Sequence, residues 1–252
     1  LQDCVDCARR FQLRCVLGLR WPAEESAPAL ENEQRLKQGR ALHRLIRQHL
    51  VGIPAETLSR SIEDDQVAMW WKSYLGSRPA ASLVRHYPEV TLSTQVGRWR
   101  VGARYDLVGV GGEGDVFVYD WKTYRRLPDR SWLRERLQTR VYPYVLTRAW
   151  EALDELVDLE PANVTMVYWF AEYPSVPVKF RYDEGRLRAD GAYLQGLMED
   201  VDARLRGCNE GDLLARTDDT ARCRFCRYRS LCRRGVEPGR GNDETSDLAA
   251  DD

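Results

Sequence analysis

The chain has 252 residues, 43% of them hydrophobic and 31% charged, with a formal net charge of −1. That length supports one full core, or one large domain with an appended module, and the near-zero charge excludes a global basic field, so contact with nucleic acid has to come from local patches. No apolar run approaches the roughly 20 residues that cross a bilayer, and LQDCVDCARRF has no signal-peptide core. Seven cysteines without an export signal point to a reducing, cytoplasmic setting, and to metal rather than disulfides. The sequence begins without Met, as expected of a chain trimmed or cut from something longer.

Residues 1–20 carry Cys4, Cys7 and Cys15 among Arg and apolar residues and read as helical. A helix follows over 30–51, where Leu36, Gly39, His43, Ile46 and Leu50 recur at spacings of three and four and place His43 in the inward stripe. Residues 55–77 read as a second helix with Leu58, Ile62, Met69, Trp70 and Tyr74 on its buried side. Strands are predicted at 88–95, 98–110 and 115–122, the last two joined by the turn signal GVGGEGD. Residues 130–158 read as one long helix, VTMVYWFA (164–171) as a buried strand, VKFRY after a Pro-framed turn, and 184–206 as a helix. A Cys/Arg-rich module occupies 222–234, and the acidic tail 236–252 is expected to be disordered. There is no G-x-x-x-x-G-K-[ST] motif, so the chain carries no P-loop motor.

Asp106, Asp120 and Lys122 carry the most chemistry. A strand's period of two puts Asp120 and Lys122 on one face, with Asp106 on the adjacent strand. A polar solvent face would explain them blandly, but VFVY before Asp120 and Trp after it mark a strand buried on both faces. Buried charges there are costly unless paired or metal-bound. Two carboxylates and a lysine suit a divalent metal, an activated water and phosphodiester hydrolysis. A lone His on an apolar helix face is ordinarily a core residue; beside such a site, His43 can add an imidazole ligand. Gln138 and Tyr142 share one helical face at i, i+4, a spacing that equally fits a surface Gln above a core Tyr.

Cys223, Cys226 and Cys232 form C-x-x-C-x-x-x-x-x-C, a soft-metal pattern open to iron–sulfur or zinc, with a fourth ligand among Cys4, Cys7, Cys15 and Cys208. Arginines cluster at 125–136 and 222–234, with Trp121, Tyr124, Phe225 and Tyr228 interleaved, a pattern that fits phosphate contacts and base stacking.

Together these segments resemble the PD-(D/E)XK nuclease superfamily, and within it the RecB-like exonucleases with an iron–sulfur cluster, including CRISPR-associated exonucleases. The resemblance rests on CARRFQLR (7–14), GRALH (39–43), GARYD (102–106), YDWKT (119–123), LQTRVYPY (137–144) and CRFCRYRSLC (223–232), in that order. Ala8, Trp121 and Arg227 depart from the family's usual Pro, Tyr and Pro without removing a chemical group.

The resemblance implies an α/β fold, a restriction-endonuclease-like central mixed sheet flanked by helices, over 1–235, with a C-terminal cysteine module closing on the N-terminus. It implies Mg²⁺ or Mn²⁺ held by His43, Asp106, Asp120 and the Trp121 carbonyl. Lys122 would act on the water and the transition state, and Gln138 and Tyr142 would hold the water, the lysine or the DNA. Glu89 is a weaker, outer carboxylate. Cys7, Cys223, Cys226 and Cys232 would hold a 4Fe-4S cluster, with zinc as the alternative. The activity implied is exonucleolytic cleavage of single-stranded DNA in repair or recombination, with a separate helicase or a CRISPR integrase as the partners implied. The alternatives are trimming of spacer precursors for a CRISPR integrase and a non-catalytic DNA-binding scaffold for a separate helicase; the intact Asp, Asp, Lys set argues against the scaffold.

Overall fold

The computed structural model describes residues 1–20, 27–154, 159–207, 211–223 and 226–234. Short helices α1 (Gln2–Asp6) and α2 (Ala8–Phe11) run into a π-helical turn, and α3 (Ala27–Leu50), α4 (Ala55–Arg60) and α5 (Asp65–Ser77) follow. Strands β1 (Leu83–Val96), β2 (Trp99–Gly111) and β3 (Val116–Lys122) precede α6 (Arg130–Glu135) and α7 (Leu137–Ala149). Strands β4 (Val164–Phe170) and β5 (Val178–Arg181) and helix α8 (Glu184–Arg206) complete the regular elements. The chain divides into two compact units, Gln38–Met198 and Leu1–Lys37 with Glu199–Asp252.

The unit Gln38–Met198 is built on a five-stranded sheet in the order β1-β2-β3-β4-β5. Only the β3–β4 pair is parallel, and its crossover is supplied by α6 and α7. The sheet is therefore mixed, as the resemblance implies. Alternation sorts its side chains onto two faces. Val116, Val118, Met166, Tyr168 and Phe170 pack with residues of α6, α7 and α8 such as Leu133, Val145 and Leu194. Tyr119, Trp121, Val167 and Trp169 face the other way, against Leu42, Ile46, Trp70 and Tyr74 of α3 and α5. Asp120 and Lys122 share parity with Val118 and so enter the α7 side of this α/β sandwich.

Three expectations change. The helix expected over 55–77 is two helices, because Asp64 caps α5 by accepting from Val67 N at 3.0 Å and is itself held by Gln38 Nε2 at 2.8 Å. Met69 then points outward, 57% exposed, while Val67 and Trp71 take buried places beside Trp70. The long helix expected from 130 breaks at Arg136, whose ψ of 137° is extended, and α7 ends at Ala149; 155–158 lie outside the described residues. In α3 the buried line runs through Leu42, Leu45 and Ile46, with His43 half-buried at its border.

In the other unit the two ends of the chain meet through hydrogen bonds. Gln12 donates to the Asp212 carbonyl at 2.8 Å and accepts from Leu214 N at 2.7 Å, and Arg9 Nε reaches the Leu214 carbonyl at 2.7 Å. Arg222 pairs with Asp6, and Tyr228 Oη donates to the Leu19 carbonyl at 2.8 Å. The tail 236–252 lies outside the described residues.

Candidate active site and cysteine pocket

The ladder between β2 and β3 runs from Val110–Val116 to Leu107–Tyr119. One step further, side chains replace it. Asp106 Oδ2 accepts from Trp121 N at 2.8 Å, and His43 Nε2 lies 2.8 Å from the Trp121 carbonyl. His43 Nδ1 is 3.0 Å from Asp106 Oδ1. Both backbone groups of Trp121 are thus held by the side chains predicted to share a metal with it.

Beside them, Asp120 and Lys122 are buried and paired, Oδ2 to Nζ at 3.0 Å. Gln138 bridges the pair, its Nε2 donating to Asp120 Oδ1 at 2.5 Å and its Oε1 accepting from Lys122 at 3.2 Å. Gln138 reaches them because the break at Arg136 starts α7 over this end of β3. Tyr142 lies one turn on, its carbonyl accepting from Tyr105 Oη at 2.9 Å and its ring 5.0 Å from that of Tyr105.

The electrostatics follow from this packing. Burial opposes charge on His43, but Asp106 beside it outweighs burial and pushes the imidazole up to about 9. Burial opposes charge on Asp106 as well, yet His43, the Trp121 N–H and Lys122 hold its carboxyl below the usual range. Burial, then the charges of Asp120 and Asp106, push the Tyr142 phenol upward, so it is a proton donor at neutral pH.

The donors around this point, two carboxylates, an imidazole and a carbonyl, are the hard and intermediate ligands that suit Mg²⁺ or Mn²⁺. In the described residues His43 and Asp106 bind each other and the Trp121 backbone while Asp120 binds Lys122 and Gln138, and no group of three or more His, Cys, Asp or Glu has the spacing of a metal-ion site. Sequence reasoning missed Tyr168, whose ring, with that of Tyr124, stands within 5.9 Å of Lys122 Nζ. The signal lay in the parallel register, which sets Tyr168 beside Asp120. Glu89 sits in the left-handed region at φ 55° and is paired with Arg104.

Cys7, Cys223, Cys226 and Cys232 line one pocket with Arg10, Arg216, Arg222 and Arg229; Cys4 and Cys15 do not line it. Burial raises the Cys223 and Cys226 thiols, and Arg234 and Arg10 respectively oppose that rise. Burial pushes Cys4 up to about 11. Thiol donors among guanidinium groups fit a soft, anionic thiolate–metal centre. Cys208, Arg224 and Phe225 lie outside the described residues.

Of the four aromatic residues expected to stack on bases, Trp121, Tyr124 and Tyr228 are packed inside, each at most 3% exposed. Arg136 is also buried, its guanidinium 5.0 Å from the Trp132 ring centroid. Arg222, Arg229 and Arg234 are engaged within their own unit with Asp6, the Arg234 carbonyl and the Thr217 carbonyl.

A mixed α/β sheet whose middle strands part over two carboxylates, a lysine and a histidine has the architecture of a metal-dependent nuclease. The chain belongs to the PD-(D/E)XK nuclease superfamily, whose family model matches residues 1–233. Among solved structures it is similar to one titled "Crystal structure of SSO0001", at 14% identity, covering 75% of this chain and 80% of that chain with a TM-score of 0.38. No curated protein matches it.

Proposed function

We propose that the protein is a Mg²⁺- or Mn²⁺-dependent exonuclease acting on single-stranded DNA. The observation that carries this reading is the buried Asp120–Lys122–Gln138 network standing against the Asp106–His43 pair where β2 and β3 part. Bound at Asp106, Asp120, His43 and the Trp121 carbonyl, the metal would supply Lewis acidity toward a phosphate oxygen and a water. Lys122, oriented by Gln138, takes part in deprotonating the attacking water and offsets charge on the pentavalent phosphate. Tyr142, kept protonated, donates to Gln138 or to a phosphate oxygen. Gln138 is thus a positioning residue for Lys122 and Asp120.

The four-cysteine pocket supports a second element of the proposal, a 4Fe-4S cluster on Cys7, Cys223, Cys226 and Cys232 that ties the two ends of the chain together.

The test is digestion of end-labelled linear and closed circular single-stranded DNA with Mg²⁺, Mn²⁺ or EDTA. The expected result is degradation of linear strands only, and only with metal. Equal cutting of circles would make the enzyme an endonuclease, and cleavage in EDTA would refute metal dependence.

A further inference from the structure

On the far side of Asp106 from Leu107, β2 pairs with β1 alone, so the two strands run on from the candidate site as a ribbon that turns at Gly97. Its inward row, Leu92 and Val96 of β1 with Val101, Ala103 and Tyr105 of β2, joins the core beneath α7 and α8. Its outward row on β2 is Arg100, Gly102 and Arg104, each exposed, and the same alternation continues to Asp106. Along the strand, Arg104 stands about 7 Å and Arg100 about 20 Å from Asp106. The register sets Thr91, Ser93 and Gln95 of β1 opposite Arg104, Gly102 and Arg100, so hydroxyls and an amide share the face with the guanidinium groups. Gly102 leaves the middle of the face open: a Cβ there would have only the Leu92 carbonyl within 4 Å, at 3.7 Å.

Arg100 Nη1 donates to Ser93 Oγ at 3.0 Å. Arg104 sets Nε, at 3.0 Å, and Nη2 on one oxygen, Oε2, of Glu89. That bond raises the Arg104 guanidinium above its usual range, and Asp106 and Tyr142 add to the rise, so the cation lies within electrostatic reach of both site residues. Glu89 and Asp106 are the only acids in the two strands.

We infer that this outward face binds the sugar–phosphate of a single DNA strand whose end lies at Asp106 and Lys122. Arg104 exchanges Glu89 for a phosphate next to the cleaved one, and Arg100 holds a phosphate further along. The inference rests on the nuclease reading and adds where the rest of the strand lies. Sugar–phosphate is the partner chemistry because guanidinium, hydroxyl and amide groups in one row are those that hold phosphates and sugars, and this row runs along one strand into the site where a phosphate is cleaved. A guanidinium fork accepts carboxylate and phosphate in the same geometry, so the Glu89 carboxylate occupies the place a phosphate would take.

The experiment measures fluorescence anisotropy of a labelled long single strand in EDTA across a salt series. It compares wild type with Arg104→Gln, Arg100→Gln/Arg104→Gln and Glu89→Gln/Arg104→Gln, the last removing the surface pair together. The log–log salt slope is expected to fall by about 0.7 in the two variants that lose Arg104 alone of the arginines, and by about 1.4 in Arg100→Gln/Arg104→Gln. With Mn²⁺, the loss of cleavage is expected to be larger on the long strand than on a dinucleotide. A slope restored in Glu89→Gln/Arg104→Gln would mean that an unpartnered Glu89, not a lost phosphate contact, weakened binding, and would overturn the part given to Arg104. Equal losses on long and short substrates would overturn the track. If wild type degrades DNA and Arg100→Gln/Arg104→Gln binds at full slope, the track alone fails. If wild type shows no metal-dependent cleavage, the nuclease reading fails.

Discussion

Lys122 and Asp120 are a buried pair of opposite charges 3.0 Å apart, and the cost of separating them is large. Removing one partner of such a pair leaves the other charge buried and alone, at roughly 3–5 kcal/mol. Lys122→Ala is therefore expected to lower the urea stability of the metal-free protein by about 3 kcal/mol, and Asp120→Asn/Lys122→Met to recover most of it. A Lys122→Ala protein as stable as wild type would show that the pair does not hold this end of β3. His43→Ala has a different signature. As a ligand it is expected to weaken Mn²⁺ binding in a calorimetric titration about tenfold or more; unchanged affinity would return His43 to the core.

Asp190 offers a pH test away from the site. Burial raises its carboxyl, and Arg140 at 3.4 Å only partly opposes this. The folded state then holds the proton more tightly than the unfolded chain, so the contribution to stability is greatest below the unfolded carboxylate range and is lost as pH rises through the folded value. Asp190→Asn, neutral at every pH, is expected to melt at or above wild type at pH 7, with the difference shrinking toward pH 4. An Asn variant less stable at pH 7 would contradict this. At this scale the sequence was most legible where a polar residue interrupts an apolar strand, as at Asp106, Asp120 and Lys122. It misled at Trp121, Tyr124 and Tyr228, because composition does not say which aromatic rings the sheet and the cysteine module take inside.

Among the elements, α3 is set against the end of β3 at Gly39, one turn before His43. A Cβ there would stand 3.3 Å from Thr123 Oγ1, closer than comfortable contact. Ala in a helix interior gains roughly 1 kcal/mol over Gly, so Gly39→Ala sets helix propensity against displacement of α3. The expected outcome is little change in melting temperature but several-fold lower activity, restored by Thr123→Ala in the same chain. Full activity in Gly39→Ala would mean that the approach does not position His43. Strands β2, β3 and β4 were legible because apolar runs and the Gly-rich turn bound them. The breaks at Asp64 and Arg136 were not, since a helix cap in a polar stretch and an extended ψ leave the 3.6-residue pattern on either side intact. The Arg136 break matters most, because it seats Gln138 over Asp120 and Lys122.

Across the whole molecule, the sheet unit and the unit made from the two chain ends rest on different chemistry. The first has a two-faced apolar core. The second has the Gln12 and Arg9 hydrogen bonds, the Arg222–Asp6 pair and the four-cysteine pocket. If that pocket holds an iron–sulfur cluster, anaerobically purified protein is expected to be brown, and Cys7→Ser to bleach it and make 1–37 and 199–234 protease-sensitive. Cys4→Ser is expected to keep the colour. Colourless protein with stoichiometric zinc would mean that the thiolates hold the other metal. The cysteine spacing made Cys223, Cys226 and Cys232 legible as a group, while Cys7, 216 residues from Cys223 in sequence (223 minus 7), was reached only through the resemblance carried by CARRF.

On the proposed reading, Lys122 acts in metal-dependent phosphodiester cleavage. Single-turnover digestion of a linear single strand at saturating Mn²⁺ tests it, using wild type, Lys122→Ala and the restabilised Asp120→Asn/Lys122→Met, each shown folded by circular dichroism. The predicted result is rapid cleavage by wild type only, at least about a hundredfold faster than either variant. Cleavage by folded Lys122→Ala at the wild-type rate would contradict the account.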